Sequence, residues 1–288
     1  MADKKWIGAA DAIAQVDTAL ISGMSGTPSD TSYRIIINSD EVAVDGDTDV
    51  NTTAAALQVA LAASTNPYFS SITWTVNAAT ITATASSAGN PHTFTTGVTG
   101  GTGTIGSTTN VTASSGPNDY NVARNWDSGS VPVSTDSVII EDSAISITHG
   151  LDQSAVTLAS LTISKSFTGR IGLKEKAFAT TSSGNTTNAA KDEYKEQYLQ
   201  IGATILNIGE NNTNRPQNGS ALIKINIGTV ASTITVFETG STAFEESKPA
   251  IQLLGVNVGN NLFVQAAKAS VGIAVHGFEV STFNDINI

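Results

Sequence analysis

The chain has 288 residues, of which 14% are charged, and its 14 Lys and Arg against 25 Asp and Glu give a net charge of −11. This length is enough for one large or two ordinary domains. The negative charge repels phosphate backbones, which excludes nucleic acid as the main ligand. The sequence has no cysteine, which excludes disulfides and thiolate chemistry.

The first third of the chain predicts two hairpins, one helix and a further strand. Apolar residues alternate over 32–46 and again over 72–86, which is typical of half-buried hairpin strands. Over 51–64 they recur at three- and four-residue steps, which predicts a helix, and 92–98 adds a strand. Residues 1–115 are therefore expected to form a small N-terminal β-sandwich or α+β domain with one helix.

Repeated apolar positions characterise the rest of the chain, after a turn-rich segment that places a domain boundary near residue 115. Two series recur together, one comprising Ile139, Ile163, Ile201, Ile225, Ile251 and Ile273, the other Ile147, Ile171, Ile208, Ile234, Val258 and Val280. Each position except Ile139 has an apolar residue two places away, as in a half-buried strand. The repeat predicts a short β-solenoid (β-helix) over 116–288, with 174–197 as a loop inserted into one turn. A jelly roll or a plain sandwich would also supply many short strands.

One tryptophan, Trp126, lies just ahead of the strand predicted at 137–141, in a segment rich in Gly, Ser and Pro. The first turn of a β-solenoid exposes an apolar cross-section and an unpaired strand edge. We therefore expect Trp126, held by a turn at Gly129 and Pro132, to cover that end as a structural cap.

Two parts of the sequence resemble phage proteins. Asn125–Trp126, Gly129, Val131–Pro132 and Asp136–Ile140 resemble the opening motif of β-helix proteins found on the surfaces of bacteria and phages. The front part is similar to a module of phage structural proteins in Tyr33–Asn38, the Ala/Leu-rich helix, Phe69, Ile81–Ala85 and Gly89–Thr95. The resemblance implies a bacteriophage virion structural protein, of the head decoration (cement) or tail fibre type, with a β-helix-like C-terminal region.

No motif in the sequence predicts an enzyme. Gly101–Gly106 fits G-x-G-x-x-G, but no helix is expected after it, so no cofactor is expected. The three histidines are far apart and suggest no metal site. Two carboxylate pairs, Glu141 with Asp142 and Glu245 with Glu246, are weak candidates for a carbohydrate site. Because neighbours on a strand point to opposite faces, neither pair can serve alone, and all four are expected to be solvated turn carboxylates.

The sequence thus favours a non-enzymatic structural component of a phage particle, in particular a trimeric capsid decoration (cement) protein. The expected partners are the chain itself, as a homotrimer, and the major capsid protein or tail proteins of the same particle, with no nucleic acid and no membrane. The Thr-, Asn- and Gly-rich composition is typical of extracellular adhesins, yet the N-terminus has no unbroken apolar segment of an export signal, and no stretch approaches 18 apolar residues. A virus particle is assembled inside a cell and used outside it, so the expected location is the virion, assembled in the host cytoplasm. The alternatives are a tail fibre or spike subunit that contacts the host surface and, less favoured, a glycan-cleaving spike.

Overall fold

A computed structural model of the protein describes residues 3–173, 176–179, 190–194, 197–210, 222–236, 251–255, 261–264, 273–275 and 285–287. The chain is mainly β, which confirms the coarse prediction from its sequence.

The elements follow one another as twenty strands and two helices over the described ranges. In chain order they are β1 (Asp3–Lys5), β2 (Val16–Gly23), β3 (Ser32–Ile37), β4 (Asp40–Asp45), α1 (Val50–Ala62), α2 (Pro67–Ser70), β5 (Ile72–Asn77), β6 (Thr80–Ala85), β7 (Thr95–Thr99), β8 (Thr104–Ile105), β9 (Thr109–Thr112), β10 (Ser137–Ile140), β11 (Asp152–Ser164), β12 (Lys176–Ala179), β13 (Ala190–Tyr194), β14 (Leu199–Glu210), β15 (Ile223–Asn226), β16 (Thr233–Val236), β17 (Ile251–Leu254), β18 (Asn261–Val264), β19 (Ile273–Val275) and β20 (Asp285–Asn287).

The chain divides into two compact units. The front unit comprises residues 11–116 with 177–193, and the stack unit comprises 1–10, 117–176 and 194–288. The prediction that the first module begins at residue 1 needs correction, because β1 pairs with β10 and so belongs to the stack unit. A three-residue strand with two lysines carries no periodic signal that could have indicated this partner.

The front unit contains two antiparallel sheets. One has the order β5-β6-β2-β8, with β9 also paired with β2, and the other has the order β4-β3-β7. The two predicted hairpins correspond to β3–β4 and β5–β6. Asn38 and Ser39 join β3 to β4 with φ of 50° and 74°, the left-handed conformation that a two-residue type I′ turn requires.

Helix α1 lies close to the predicted helix. The carboxylate of Asp49 accepts hydrogen bonds from the backbone N–H groups of Asn51 and Thr52, which caps the N-terminus. The front-unit core comprises Ala19, Ile21, Tyr33, Ile35, Ile37, Ala54, Leu57, Leu61, Phe69, Ile72, Trp74, Ile81, Ala83 and Phe94.

The stack unit is built from parallel strands. The sheet order is β1-β10-β11-β14-β15-β17-β19, with β16 paired with β14, β18 with β16, and β20 with β18. All of these pairings are parallel. Because parallel neighbours need a long connection between them, each strand lies beside one from a different pass of the chain.

Two columns of in-register residues run through these strands. One contains Val138, Leu161, Leu206, Ile234, Leu262 and Ile286, and the other contains Ile147, Ile171, Ile223, Ile251 and Ile273. The predicted series differ from these columns, because Ile163 pairs with Ile208 and not with Ile201. Likewise Ile171 bridges to Ile223 and not to Ile208. The reason is the length of β14, whose 12 residues include both Ile201 and Ile208 and pair with β15 near one end and β16 near the other.

The stack-unit core includes members of both columns. It contains Trp6, Tyr120, Trp126, Val138, Ile140, Ile147, Leu151, Leu158, Leu161, Ile163, Phe167, Ile171, Leu199, Ile201, Ala203, Leu206, Ile208, Ile223, Ile225, Ile227, Ile234, Val236, Ile251 and Leu253.

The predicted insertion leaves and re-enters the stack at neighbouring positions. Leu173 and Gln197 form an antiparallel bridge and exchange two backbone hydrogen bonds of 2.9 and 3.0 Å. Within the insertion β12 and β13 form a two-stranded sheet, and the other parts of 174–197, apart from Gln197, lie outside the described residues. Gly172 has φ of 85°, and a Cβ there would come within 2.6 Å of the Gln197 carbonyl oxygen, so the crossing needs glycine.

Candidate functional site

Trp126 lies in a cluster of three aromatic side chains next to the first strand. It is 1% exposed, and its ring centroid lies 5.2 Å from Trp6 and 4.8 Å from Tyr120, with edge-to-face angles of 73° and 70°. Its Nε1–H donates to the Tyr120 carbonyl oxygen at 2.9 Å. The indole therefore packs beside β1, and its capping role stays a prediction.

The outer edge of β1 is occupied by the residues that follow Trp126. The backbone N–H of Asp127 donates to the Lys5 carbonyl oxygen at 3.0 Å, and the Asp127 carboxylate accepts from the Lys5 N–H at 2.8 Å. An unpaired strand edge is a template for further pairing, and these bonds satisfy the backbone groups of Lys5, the last residue of β1.

The predicted turn at Gly129 and Pro132 encloses a lysine that the sequence did not indicate. Gly129 has φ of 66° and donates its N–H to the Trp126 carbonyl oxygen, and Pro132 is buried. The Lys4 ammonium lies 3.2 Å from the Asp136 carboxylate and also donates to two carbonyls and a hydroxyl of the turn. Both side chains are more than nine-tenths buried, so this pair holds the turn against β1.

The phenol of Tyr120 is neutral in this setting. Its hydroxyl is buried without a hydrogen-bond partner in the part of the chain that the structure describes. Burial, and then the negative charge of Asp136, raise the pKa of Tyr120 well above its ordinary value. A phenol held neutral in this way adds its ring to the packing of the aromatic cluster.

The candidate pair Glu141 and Asp142 shares a single lysine. The Lys5 ammonium lies 2.8 Å from Glu141 and 3.9 Å from Asp142, and all three side chains are about one-third exposed. Strand β10 ends at Ile140 and Asp142 has φ of 48°, so the expected alternation of faces does not apply here. Glu245 and Glu246 lie outside the described residues.

A polar groove lies on the flank of the stack unit. It has a volume of about 490 Å³ and is lined by Asn121, Gly150, Leu151, Asp152, Gln197, Tyr198, Gln200 and Asn226. Asp152, Gln200 and Asn226 occupy equivalent positions on β11, β14 and β15, because Asp152 pairs with Gln200 and Gln200 with Asn226. Strand spacing therefore sets these three side chains in a row at about 4.8 Å intervals.

Neighbouring groups fix the hydrogen-bonding direction of three groove side chains, Asn121, Asp152 and Asn226. The Asn226 Oδ1 accepts from a backbone N–H at 2.9 Å, and the Asn121 Oδ1 accepts from Gln153 Nε2 at 2.7 Å, so each side chain presents its amino group. The hydroxyl and backbone N–H of Ser154 both donate to Asp152, and these bonds lower the pKa of that carboxyl. The groove therefore combines two oriented donors with one ionised acceptor.

Tyr198 lies over two fully buried polar side chains. The Lys224 ammonium is 4.9 Å from its ring centroid and donates to the Leu173 carbonyl oxygen at 3.2 Å. The Tyr198 hydroxyl donates to Gln252 Oε1 at 3.2 Å. Lys224 and Gln252 are 0% and 1% exposed, so the ring is held firmly against the flank of the stack.

A second polar network lies in the front unit. His92 Nε2 is 3.1 Å from Asp17 Oδ2, which also accepts from Gln15 Nε2 at 2.6 Å. Burial lowers the pKa of His92, and the charge of Asp17 opposes this effect. Within the described ranges no group of three or more His, Asp or Glu residues could hold a metal ion. His276 lies outside those ranges.

The sequence did not indicate the groove, because its residues come from four separate segments and half of them are amides in an amide-rich chain. The groove can be recognised only once the strand register is known, because the register aligns Asp152, Gln200 and Asn226 on adjacent strands.

In the described part of the chain, no helix is long and apolar enough to cross a membrane.

Comparisons with known proteins add no identification. No protein-family model matches the sequence, and no curated protein matches it.

Proposed function

We propose that the stack unit is a short β-solenoid and that the protein is a non-enzymatic structural component of a phage particle, in the first place a trimeric capsid decoration protein. The parallel pairing of strands in two in-register columns supports the solenoid. The acidic, weakly charged composition suits a surface exposed outside the particle.

The observation that carries the proposal is that three motif residues, Asn125, Trp126 and Asp136, contact β1 or the residues just after it. The Oδ1 of buried Asn125 accepts a hydrogen bond from the Ala10 N–H at 2.8 Å, and Trp126 packs against Trp6, the residue that follows β1. The Asp136 carboxylate forms an ion pair with the Lys4 ammonium on β1. The motif that resembles phage β-helix proteins therefore holds the first strand in place, which is a structural role.

The number of copies per particle tests this proposal. Quantitative mass spectrometry of purified particles from a host carrying the gene should find the chain in hundreds of copies, at a fixed ratio to the major capsid protein. A handful of copies would favour the tail, and particles without the chain would contradict a virion role.

Exposed apolar side chains on the stack unit support self-association, and the resemblance to phage decoration and spike proteins favours a trimer. Ile7, Val133 and Ile205 are 40%, 58% and 44% exposed, and closed symmetry is the usual way to cover such positions. Light scattering should report a trimer, and Val133→Glu with Ile205→Glu should dissociate it. The matched control Val59→Glu, at a 63% exposed position of α1, should leave the trimer intact. A particle reconstruction with isolated or two-fold-paired copies would contradict it.

The second candidate is a tail fibre or spike subunit that contacts the host surface. The polar groove favours it, because a decoration protein has no need for oriented donors and an acceptor on its flank. Copy number separates the two candidates.

A further inference from the structure

We propose that the polar groove of the stack unit binds an uncharged glycan, with the chain of sugars lying across β11, β14 and β15. The inference concerns the groove itself and holds whether the particle carries this protein on its head or its tail.

The first argument is the spacing of the row. Asp152, Gln200 and Asn226 stand on three adjacent parallel strands in exact register, so the row spans two strand spacings, roughly 10 Å. One strand spacing is close to the length of one pyranose unit in an extended oligosaccharide. A glycan that runs along the stack therefore meets an equivalent polar side chain at each sugar.

The second argument is the chemistry of the lining groups. A sugar hydroxyl donates one hydrogen bond while accepting others, so it needs donors and acceptors side by side. The amino groups of Asn121 and Asn226 are donors held by their own carbonyl contacts, and Asp152 is an acceptor held by Ser154. Gln200 adds an exposed amide between Asp152 and Asn226. Groups oriented before binding lose less entropy when the ligand arrives.

The third argument is the ring of Tyr198. It lines the groove and is held by Lys224 and Gln252, which makes it a rigid aromatic surface. The C–H face of a pyranose packs well on such a surface, since an aromatic side chain offers a large apolar area with a polar end.

Other ligand classes fit this groove poorly. An anionic ligand meets the Asp152 carboxylate on a chain of net charge −11, and the Lys224 ammonium is fully buried beneath the tyrosine. A hard cation would need more oxygen ligands than one carboxylate supplies. Among the described residues the lining holds a single carboxylate, whereas glycoside hydrolysis uses a pair, so the groove is expected to bind a glycan without cleaving it.

Binding of the full chain to a printed array of bacterial oligosaccharides of three or more sugars tests the proposal, followed by calorimetric titration of the strongest binder. Gln200→Ala and Asn226→Ala should each weaken binding about threefold to tenfold, the loss of one hydrogen bond. Asp152→Asn should weaken it about tenfold or more, because a charge-assisted bond is lost. The oligosaccharide should be recovered at its original length after incubation.

The matched control is Asn207→Ala, which removes an amide from the same strand β14 outside the groove lining. It should leave the affinity unchanged, and all four variants should keep a cooperative stack-unit transition. Three results would overturn the inference: no oligosaccharide bound on the array, affinity insensitive to the three groove substitutions, or affinity lost equally in Asn207→Ala. None of these results depends on the copy number in a particle, so failure here is distinct from failure of the proposed virion role.

Discussion

Replacement of Trp126 by alanine measures what the aromatic cluster contributes to the stack unit. A buried Trp→Ala substitution costs about 3–5 kcal/mol through lost transfer free energy and the cavity left behind. The same change removes two edge-to-face contacts, each worth about 0.5–1.5 kcal/mol within that total. It also removes the Nε1–H bond to Tyr120, worth about 1 kcal/mol.

Trp74 in the front unit is a close chemical match. It is 4% exposed, its Nε1–H donates to the Phe69 carbonyl oxygen at 3.0 Å, and its ring lies 5.6 Å from Phe94 and 6.5 Å from Phe69. Cavity formation alone would make the two alanine variants equally destabilised. A cap protects every strand behind it, so Trp126→Ala should lose more free energy than Trp74→Ala.

Urea unfolding gives the comparison in free energy, because the melting shift per kcal/mol depends on the size of each unit. In calorimetry, Trp126→Ala should lower the stack-unit transition by about 6–20 °C and leave the front-unit transition in place. Trp126→Phe keeps an aromatic ring and should lose less than Trp126→Ala. A loss for Trp126→Ala equal to or smaller than that for Trp74→Ala would refute the capping role.

Two further predictions concern the other features of the fold. Burial lowers the pKa of His92 below its ordinary value of about 6.5 despite the nearby Asp17, so the unfolded chain takes up the proton first as the pH falls. The free energy of unfolding of the front unit should therefore decrease as the pH falls below about 6.5, and urea titrations at pH 7.5 and 5.5 should find a smaller decrease in His92→Gln; an unchanged decrease would contradict this. Replacing residues 174–196 by Asn-Gly should cost the stack unit about 1 kcal/mol or less in a urea titration, because Leu173 and Gln197 already exchange two backbone bonds. Loss of the cooperative stack-unit transition would contradict that reading.

Local patterns predicted the front-unit elements well. The hairpins over 32–46 and 72–86 and the helix near 51–64 depend on contacts within a few residues, so the alternation and the helical period carry the information. The tip of the first hairpin is Asn38 and Ser39, because Asp40 already belongs to β4.

The register of the stack could not be predicted from one repeat length. Strands β11 and β14 contain 13 and 12 residues. One such strand includes several apolar positions, which a repeat of uniform length would assign to different turns. The insertion adds an unknown length between them. The prediction that aligned Ile163 with Ile201 is wrong for this reason, and any groove residue assigned from that alignment would have been misplaced. Likewise Lys4 pairs with Asp136 across most of the first half of the chain, a separation over which no local pattern acts.

Tyr198 links the stability of the stack to its proposed binding surface. Its ring covers Lys224 and its hydroxyl bonds Gln252, both on the flank and both fully buried, so its removal would expose an ammonium and an amide that the fold has desolvated. Loss of binding in Tyr198→Ala would therefore not separate a lost contact from a disturbed flank. The row of Asp152, Gln200 and Asn226 is different, because all three are incompletely buried and their backbone pairing is independent of the side chain. Substitutions in this row can therefore change the groove while the buried columns of the stack stay as they are. For this reason substitutions in the row, and not at Tyr198, are the decisive test of ligand binding.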